Sequence, residues 1–249
     1  MSALAHRELD PLSRLGVTEG VASSLQQSLR NMLWDATPFL PSAPRHDLDA
    51  LQQASQTCQG CDLYLHANQT VFGEGRPSSR VVLVGEQPGD QEDRAGKPFV
   101  GPAGHVLDEA LEEAGVARKD VYVTNAVKHF KFLERGKRRI HSKPNAREIR
   151  ACKPWLEAEL ETVQPTILVC LGATAAQALL GSAFRVTQHR GQPLTDTNLA
   201  PFVVATVHPS SILRAPDEAS RRKDREAFVA DLRLVRSLLE DGRSTAASR

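Results

Sequence analysis

From residue 80 onward the chain alternates short apolar runs with longer amphipathic stretches. The apolar runs are rich in β-branched residues and bounded by polar residues or Gly, as buried strands are. They predict strands at Val81–Gly85, Val121–Val127, Thr166–Leu171 and Val203–Val207. Between them, apolar residues recur at three- and four-residue intervals, which predicts helices at Gly104–Ala114, Asn145–Val163, Ala173–Leu180 and Glu218–Leu239. This order predicts a three-layer α/β/α sandwich with a central, mostly parallel four-stranded sheet.

The segment before this alternation is less regular. Residues 1–45 carry a weak amphipathic stripe, and prolines at positions 38, 41 and 44 then interrupt any helix. We therefore expect residues 1–45 to be an extension that is partly helical or disordered. The domain is expected to span residues 46–241, with a first helix at Asp47–Thr57 capped by Asp47. Residues 242–249, rich in Ser, Ala and Arg, are expected to form a disordered tail.

The composition narrows the functional class. With 249 residues and a net charge of +1, the chain has no global attraction for polyanions, so a nucleic-acid surface has to be a local patch. The sequence contains no apolar run long enough to cross a bilayer. Its start also lacks the basic-then-apolar pattern of an export signal. We expect a cytoplasmic protein without a membrane partner.

Four cysteines indicate a metal site. A C-x-x-C pair followed by two later cysteines in a cytosolic chain favours metal or cluster ligands over disulfides. Four thiolates suit either zinc or an iron–sulfur cluster, while incidental buried cysteines are the alternative. A bound metal would fix the segment before the sheet onto the sheet, which is a structural role. The candidate ligands are Cys58, Cys61, Cys152 and Cys170.

A long loop, Gly85–Gly101, follows the first strand and carries more chemistry than a connection needs. In open α/β sheets, ligands bind at the carboxyl ends of the strands. The loop fits neither a phosphate-binding P-loop nor a dinucleotide fingerprint. Glu86 leaves the buried strand directly, so its carboxylate can stabilise a developing cation. Phe99 suits either the core or a stacking platform, and the acids at positions 90, 92 and 93 also fit a solvated loop.

Two further loops follow predicted strands. The second runs from Thr124 to Lys143, and between Lys128 and Lys143 seven Lys or Arg residues, interleaved with Phe and His, outnumber a single acid. It suits either a solvated surface or a phosphate-contacting patch. The third begins at His208, whose neutral imidazole can donate to an oxyanion unless it merely packs. Its serines can bond phosphate oxygens, and the apolar Ile212 and Leu213 suit a wedge into a base stack.

Together the three loops resemble the uracil-DNA glycosylase superfamily, with the iron–sulfur branch, family 4, as the closest large group. Gly85–Gly101 resembles its first motif and His208–Ser210 its last, and the four cysteines stand where that branch places its [4Fe–4S] ligands. Gln87 and the segment Gly136–His141 resemble the UdgX group, whose members form a covalent complex with uracil-containing DNA. The resemblance covers roughly residues 50 to 240, so it assigns no role to the extension.

The resemblance implies a reaction. Uracil is flipped out or met in single-stranded DNA, and His208 stabilises the leaving uracil anion. His141 replaces water as the nucleophile at the abasic deoxyribose C1′, which gives one turnover and a free uracil. Glu86 favours the sugar cation or takes the proton of His141, and the two roles stay open. The implied catalytic residues are Glu86, His141 and His208.

The resemblance also implies binding roles. Phe99 stacks on the base, Asn125 reads the uracil edge, and glycines allow close approach of the backbone. The expected substrate-binding residues are Gly85, Gln87, Gly89, Asp90, Phe99 and Asn125. The expected DNA-binding residues are Lys137, Arg138, Arg139, Ser210, Ser211 and Arg214. We expect a bacterial, nucleoid-associated monomer that prefers single-stranded DNA; a freely turning-over family 4 glycosylase and a non-catalytic iron–sulfur damage sensor are the alternatives.

Overall fold

The computed structural model describes residues 34–42 and 47–246 of the chain. Its main sheet has five strands in the order β2-β1-β5-β7-β6. These are β1 Val81–Gly85, β2 Val121–Asn125, β5 Ile167–Leu171, β6 Pro193–Leu194 and β7 Phe202–Thr206. The four longer strands are parallel, as predicted, and β6 is a two-residue antiparallel edge strand beside β7. So short a strand has no periodicity for the sequence to display.

A separate two-stranded antiparallel sheet lies within the basic segment after β2. It consists of β3 Phe132–Arg135 and β4 Arg138–His141, joined at Gly136 and Lys137. Gly136 has a φ of 60°, which a tight hairpin turn requires. We call this unit the basic hairpin. The sequence predicted a loop here because Lys and Arg dominate the segment and its few apolar residues do not alternate with polar ones.

The five predicted helices are present and differ mainly at their ends, and three short helices were not predicted. Asp47 caps the first through the amides of Asp49 and Ala50, as predicted, and the Asn145 side chain caps the helix that carries Cys152. The helices are α1 Leu48–Ser55, α2 Asp90–Ala95, α3 Pro102–Ala114, α4 Ala146–Val163, α5 Ala173–Leu180, α6 Val186–His189, α7 Pro209–Leu213 and α8 Glu218–Ala246. None of these helices is long and apolar enough to pass through a membrane.

The sheet separates two helical layers. On one face, Leu107 of α3 and Phe228 of α8 pack against Leu83 and Val169 in the main apolar core. Thr124 points to the other face, where it bonds Glu159 of α4. Helix α4 packs in turn against α1 and α5. The three-layer prediction is therefore confirmed, and the carboxyl ends of β1, β2, β5 and β7 share one edge.

The domain begins earlier and its last helix runs later than the sequence predicted. Ala36 is buried, and its amide donates to the Ala151 carbonyl at 2.9 Å, so the compact unit starts at Asp35. Helix α8 continues to Ala246 and so enters the expected tail, because no proline stops it and a single Gly is tolerated. The remainder of the expected extension and tail, residues 1–33, 43–46 and 247–249, lies outside the described residues.

A buried ion pair ties β2 to α4. Lys128 bonds Glu159, and the two side chains are 1% and 0% exposed. Glu159 also accepts from the Tyr122 hydroxyl at 2.9 Å, while Lys128 donates to the Asn125 carbonyl at 2.8 Å. The network thus fixes the end of β2, where Asn125 lies.

We expect Lys128→Met to lower the free energy of unfolding by about 3–5 kcal/mol, because it leaves the Glu159 carboxylate buried without its cation. Urea denaturation followed by circular dichroism measures this. Lys153→Met on α4 is the matched control, since the Lys153–Glu157 pair is 42% and 50% exposed, and we expect it to cost less than about 1 kcal/mol. Equal losses in the two variants would contradict a structural role for the buried pair.

Candidate active site

Side chains from three parallel strands and from the basic hairpin meet at the shared edge of the sheet. Glu86 follows β1, Asn125 ends β2, and His208 lies shortly after β7. His141, the last residue of β4, reaches Glu86, with Nε2 3.3 Å from Oε1. Phe99 stacks on the His208 ring with the ring centres 6.2 Å apart. The predicted crevice therefore brings together the residues of all three loops.

Glu86 is held as a carboxylate. Burial alone would raise its pKa, but hydrogen bonds from His141 and Thr174, together with the charges of His141 and His208, outweigh burial and lower the pKa. Oxygen Oε1 faces His141, and Oε2 accepts from the Thr174 hydroxyl. The carboxylate is therefore ionised at neutral pH and has a fixed orientation.

Thr174 is a functional residue that the sequence analysis missed. It lies in the first turn of α5, directly after β5, and its side chain is buried. The hydroxyl donates to Glu86 and leaves the other carboxylate oxygen to His141. The available signal was its position just beyond the carboxyl end of a buried strand, because every strand end at this edge contributes a polar side chain.

His208 presents one ring nitrogen to the crevice as a donor. The backbone amide of Ser210 donates to its Nδ1 at 3.2 Å, so Nδ1 is an acceptor and the proton of the neutral ring lies on Nε2. Burial lowers the pKa of His208 to about 4, and Arg214 and His141 add to the lowering against the opposite effect of Glu86. The imidazole is thus neutral at pH 7, as expected for an oxyanion donor.

The wall of the crevice is built from Phe99, Asn125 and Gly85. A Cβ at Gly85 would stand 2.3 Å from Asn125 Oδ1 and 2.8 Å from Phe99 Cζ, so only Gly allows both side chains to close on this strand end. Phe99 has a φ of 55° and also packs against the core. Both interpretations of Phe99, packing residue and platform, are therefore compatible. Within residues 34–42 and 47–246 the Asn125 side-chain amide makes no hydrogen bond.

The acids of the first loop are structural rather than solvated. Glu92 accepts from the amides of Gly89 at 3.0 Å and Gly101 at 2.7 Å, which ties the two ends of the loop together. Asp93 is fully buried. Asp90 pairs with Arg94 at 2.9 Å and Arg139 at 2.5 Å, and its predicted contact with substrate stays a prediction. The two arginines occupy its carboxylate because α2, a helix that the sequence did not predict, turns it toward them.

Gln87 holds the base of the basic hairpin. Its Nε2 donates to the carbonyls of Lys131 and Ser142, each at 3.1 Å, and its Oε1 accepts from the Lys131 amide at 3.2 Å. The side chain thus joins the residue before β3 to the residue after β4. A contact between Gln87 and the uracil ring stays a prediction, but both amide hydrogens of Gln87 already donate to backbone carbonyls.

Arg139 is not the free DNA contact that the sequence predicted. Its side chain is 12% exposed and bonds Asp93 at 2.6 Å as well as Asp90. The guanidinium also lies over the rings of Phe130 and Phe132, at 5.4 and 4.9 Å. Strand alternation turns it inward, whereas its neighbours Lys137 and Arg138 are exposed and remain candidates for DNA contacts.

The third loop is a short helix rather than an open tip. Ser210 Oγ lies 2.8 Å from His208 Nδ1 and accepts from Arg214 at 3.0 Å, and Ser211 donates to the His208 carbonyl at 2.8 Å. These serines therefore support His208, and their phosphate contacts stay predictions. Ile212 is only 1% exposed and belongs to the core, so the predicted wedge is wrong for Ile212, because α7 turns it inward.

Three of the four cysteines form a group. Burial raises the pKa of the Cys58, Cys61 and Cys152 thiols, and the charges of Cys61 and Cys58 raise that of Cys152 further. Burial alone raises the pKa of the Cys170 thiol. It lies inside the sheet, paired with Val84 and Ala205 of the neighbouring strands. The role of Cys170 as the fourth ligand stays a prediction.

His129 lies beside this group. It is buried, and its Nε2 is 3.1 Å from Thr70 Oγ1, which donates its own proton to the Ser55 carbonyl. Nε2 therefore carries the ring proton, and Nδ1 keeps a lone pair suited to a metal. The Ser55 carbonyl also accepts from the Cys58 amide at 3.0 Å. The sequence signal was a His between the apolar Val127 and Phe130.

The donor set suits a cluster better than a single ion. Across the described ranges 34–42 and 47–246, no three His, Cys, Asp or Glu side chains converge on one ion position. A four-iron cluster binds each ligand on a different iron, so its ligands stand farther apart. Three buried thiols and a buried imidazole supply donors of the kind that such a cluster takes, and the residues are Cys58, Cys61, Cys152 and His129.

We expect Thr174→Val to raise the pKa of Glu86, because the variant loses a donor that favours the carboxylate while burial is retained. Carbon-detected NMR titration of the Glu86 carboxyl measures the change. Thr174→Ser, which keeps the hydroxyl, should leave the titration close to that of the wild type. Identical titrations for the Val variant and the wild type would contradict the assigned hydrogen bond.

Comparison with known proteins agrees with this geometry. Residues 72–233 match the model of the Uracil DNA glycosylase superfamily. The type-4 uracil-DNA glycosylase of Thermotoga maritima is 38% identical over 176 residues, which cover 70% of this chain and 88% of that protein. That of Pyrobaculum aerophilum is 34% identical over 180 residues, covering 68% and 86%, and that of Archaeoglobus fulgidus is 31% identical over 197 residues, covering 77% and 92%. The chain therefore belongs to the uracil-DNA glycosylase superfamily.

Proposed function

We propose that the protein excises uracil from DNA and stays covalently linked, through His141, to C1′ of the resulting abasic deoxyribose. The observation that carries this proposal is the 3.3 Å contact between His141 Nε2 and Glu86 Oε1. It brings an imidazole from the basic hairpin to the carboxylate that would otherwise orient an attacking water. Excision itself is supported by membership of the superfamily and by the type-4 relatives.

Base recognition uses the wall of the crevice. A uracil outside the stack can lie on the Phe99 ring, which the Gly85 and Gly104 backbones fix in place. The Asn125 amide offers one donor and one acceptor to the uracil edge, and cytosine presents the opposite pattern there. A site built on such hydrogen bonds rejects the wrong base because its own polar groups would stay unpaired.

Bond breaking places negative charge on uracil and positive charge on the sugar. The Nε2–H of His208 donates to a uracil carbonyl as the C1′–N1 electron pair moves onto the base. A neutral donor suits this role, because an imidazolium would already be paired with Glu86 before the substrate arrives. The Glu86 carboxylate, held by Thr174, lies on the sugar side and stabilises the oxocarbenium-like carbon.

The second step joins protein and DNA. A carboxylate only accepts hydrogen bonds, so the proton between the two groups lies on His141 Nε2. Glu86 takes that proton while the Nε2 electron pair forms the bond to C1′. The products are an N-alkylated neutral imidazole, a protonated Glu86, and a uracil anion that takes a proton from water. Glu86 thus first stabilises the sugar cation and then takes the proton of His141.

Two other functions remain as outcomes of the same experiment. The His141 side chain is 51% exposed, so water that displaces it would give a freely turning-over glycosylase. A binding module without catalysis would release no uracil at all. The ionised Glu86 and the neutral His208 favour catalysis, because both have protonation states matched to the reaction.

We expect a heat-stable, slowly migrating band when the protein meets uracil-containing single-stranded DNA, followed on a denaturing gel with uracil release measured in parallel. His141→Ser should abolish the band, because no nucleophile remains. His105→Ser, on the exposed side of α3, is the control and should keep it. Uracil release without a band in the wild type would support the freely turning-over enzyme, and neither signal would support the binding module.

We propose further that Cys58, Cys61, Cys152 and His129 hold a [4Fe–4S] cluster. The cluster would act as a structural link between the segment after α1, the end of β2 and helix α4. Its support is the donor set described above and the type-4 relatives. In this arrangement Cys170 is a packing residue.

We expect Cys152→Ser to lose iron and the visible absorbance of the cluster, because a hydroxyl is a poor ligand for these irons. Cys170→Val should retain both, since the thiol is buried in the sheet away from the group. The iron-to-protein ratio and the absorbance spectrum of the purified variants measure this. Iron loss in the Val variant together with retention in the Ser variant would restore Cys170 as the ligand.

A further inference from the structure

The basic hairpin has two faces with different contacts. Because side chains alternate along a strand, Phe132, Arg139 and His141 share the inner face, where they contact Phe130, Asp93 and Glu86. The alternate positions on the two strands point outward, and we call them the outer face. The outer face consists of Leu133, Arg135, Arg138 and Ile140.

An apolar pair lies on the outer face. Leu133 is paired with Ile140 across the hairpin, and their side chains are 60% and 42% exposed. Each is therefore as open to solvent as Leu65 and Leu213, the other large apolar side chains that are exposed among the described residues. Only Leu133 and Ile140 are cross-strand neighbours, so together they form a small apolar platform.

A pair of like charges follows the platform. Arg135 is directly opposite Arg138, on the same face and about 7 Å along each strand. Like charges in that position destabilise a hairpin unless an anion lies between them. In the described part of the chain neither arginine forms an ion pair, and Lys137 in the turn forms none either. Glu134, the single acid of the hairpin, lies on the inner face.

We propose that the outer face binds single-stranded DNA next to the uracil, with phosphate oxygens between Arg135 and Arg138 and an unstacked base on Leu133 and Ile140. Along the hairpin, the arginine pair follows the apolar pair at the spacing of alternate strand residues. Single-stranded DNA likewise alternates a phosphate with a base, so it can contact both pairs at once. In a duplex the bases stay stacked, so no base is available to lie on Leu133 and Ile140. The choice of DNA as the polyanion rests on the proposed function, since the same hairpin carries His141 to the crevice.

The test uses uracil-free single-stranded DNA and fluorescence anisotropy over a range of salt concentrations, so it is independent of excision and of the covalent step. In Leu133→Thr/Ile140→Thr, which places a β-branched residue favoured in strands at both positions, we expect several-fold weaker binding with an unchanged salt slope. In Arg135→Gln/Arg138→Gln we expect the slope to fall by about 0.7 for each lost phosphate contact. Binding of the matched duplex should change little in the first variant.

The controls separate this surface from general effects. Leu65→Thr removes an equally exposed apolar side chain from the Asp62–Leu65 turn. Arg76→Gln/Lys119→Gln removes two exposed charges near the amino ends of β1 and β2, at the opposite end of the sheet. Wild-type binding in both hairpin variants, or equal losses in hairpin and control variants, would overturn the proposal. A concentration-dependent dimer in sedimentation that the Thr variant abolishes, with unchanged DNA affinity, would assign the face to a second copy instead.

Discussion

The ion pairs of Arg139 with Asp90 and Asp93 determine where the basic hairpin and His141 lie. Asp93 is fully buried, so its charge needs a partner, and Arg139 supplies it at 2.6 Å. Residues two apart on a strand share a face, so fixing Arg139 also directs His141 inward. Gln87 joins the two ends of the hairpin at its base. Without these contacts the hairpin would be a small isolated sheet, which is marginally stable in water.

The fold and the position of the crevice follow from local sequence patterns. Four apolar runs with β-branched residues gave the parallel strands, and the rule that ligands bind at carboxyl strand ends placed Glu86, Asn125 and His208 together. These inferences needed only periodicity and chain order. These predictions were correct because buried strands contain few polar residues, so their apolar pattern is clear. The position of each strand end then follows from the position of the strand.

The remaining features depend on which residues face each other, and composition does not encode that. Arg138 and Arg139 are adjacent and identical, yet the register of one hairpin exposes the first and buries the second. Likewise, the sequence alone does not show whether Cys170 or His129 can reach a metal, because this depends on the order of the strands in the sheet. The position of Thr174 after a strand was visible in the sequence, but its partner was not, since Glu86 lies 88 residues earlier.

In the proposed reaction His141 and water compete as nucleophiles, and the placement of His141 favours the imidazole. A side chain held 3.3 Å from the carboxylate reacts as part of the same molecule, and well-oriented intramolecular groups reach effective molarities of about 10⁵–10⁸ M. Bulk water cannot match that advantage while the hairpin stays docked. In the proposed reaction, the time for which the hairpin stays docked then determines whether the protein turns over or reacts only once. On this proposal, anchoring one two-stranded loop is enough to turn a hydrolase into a protein that reacts once.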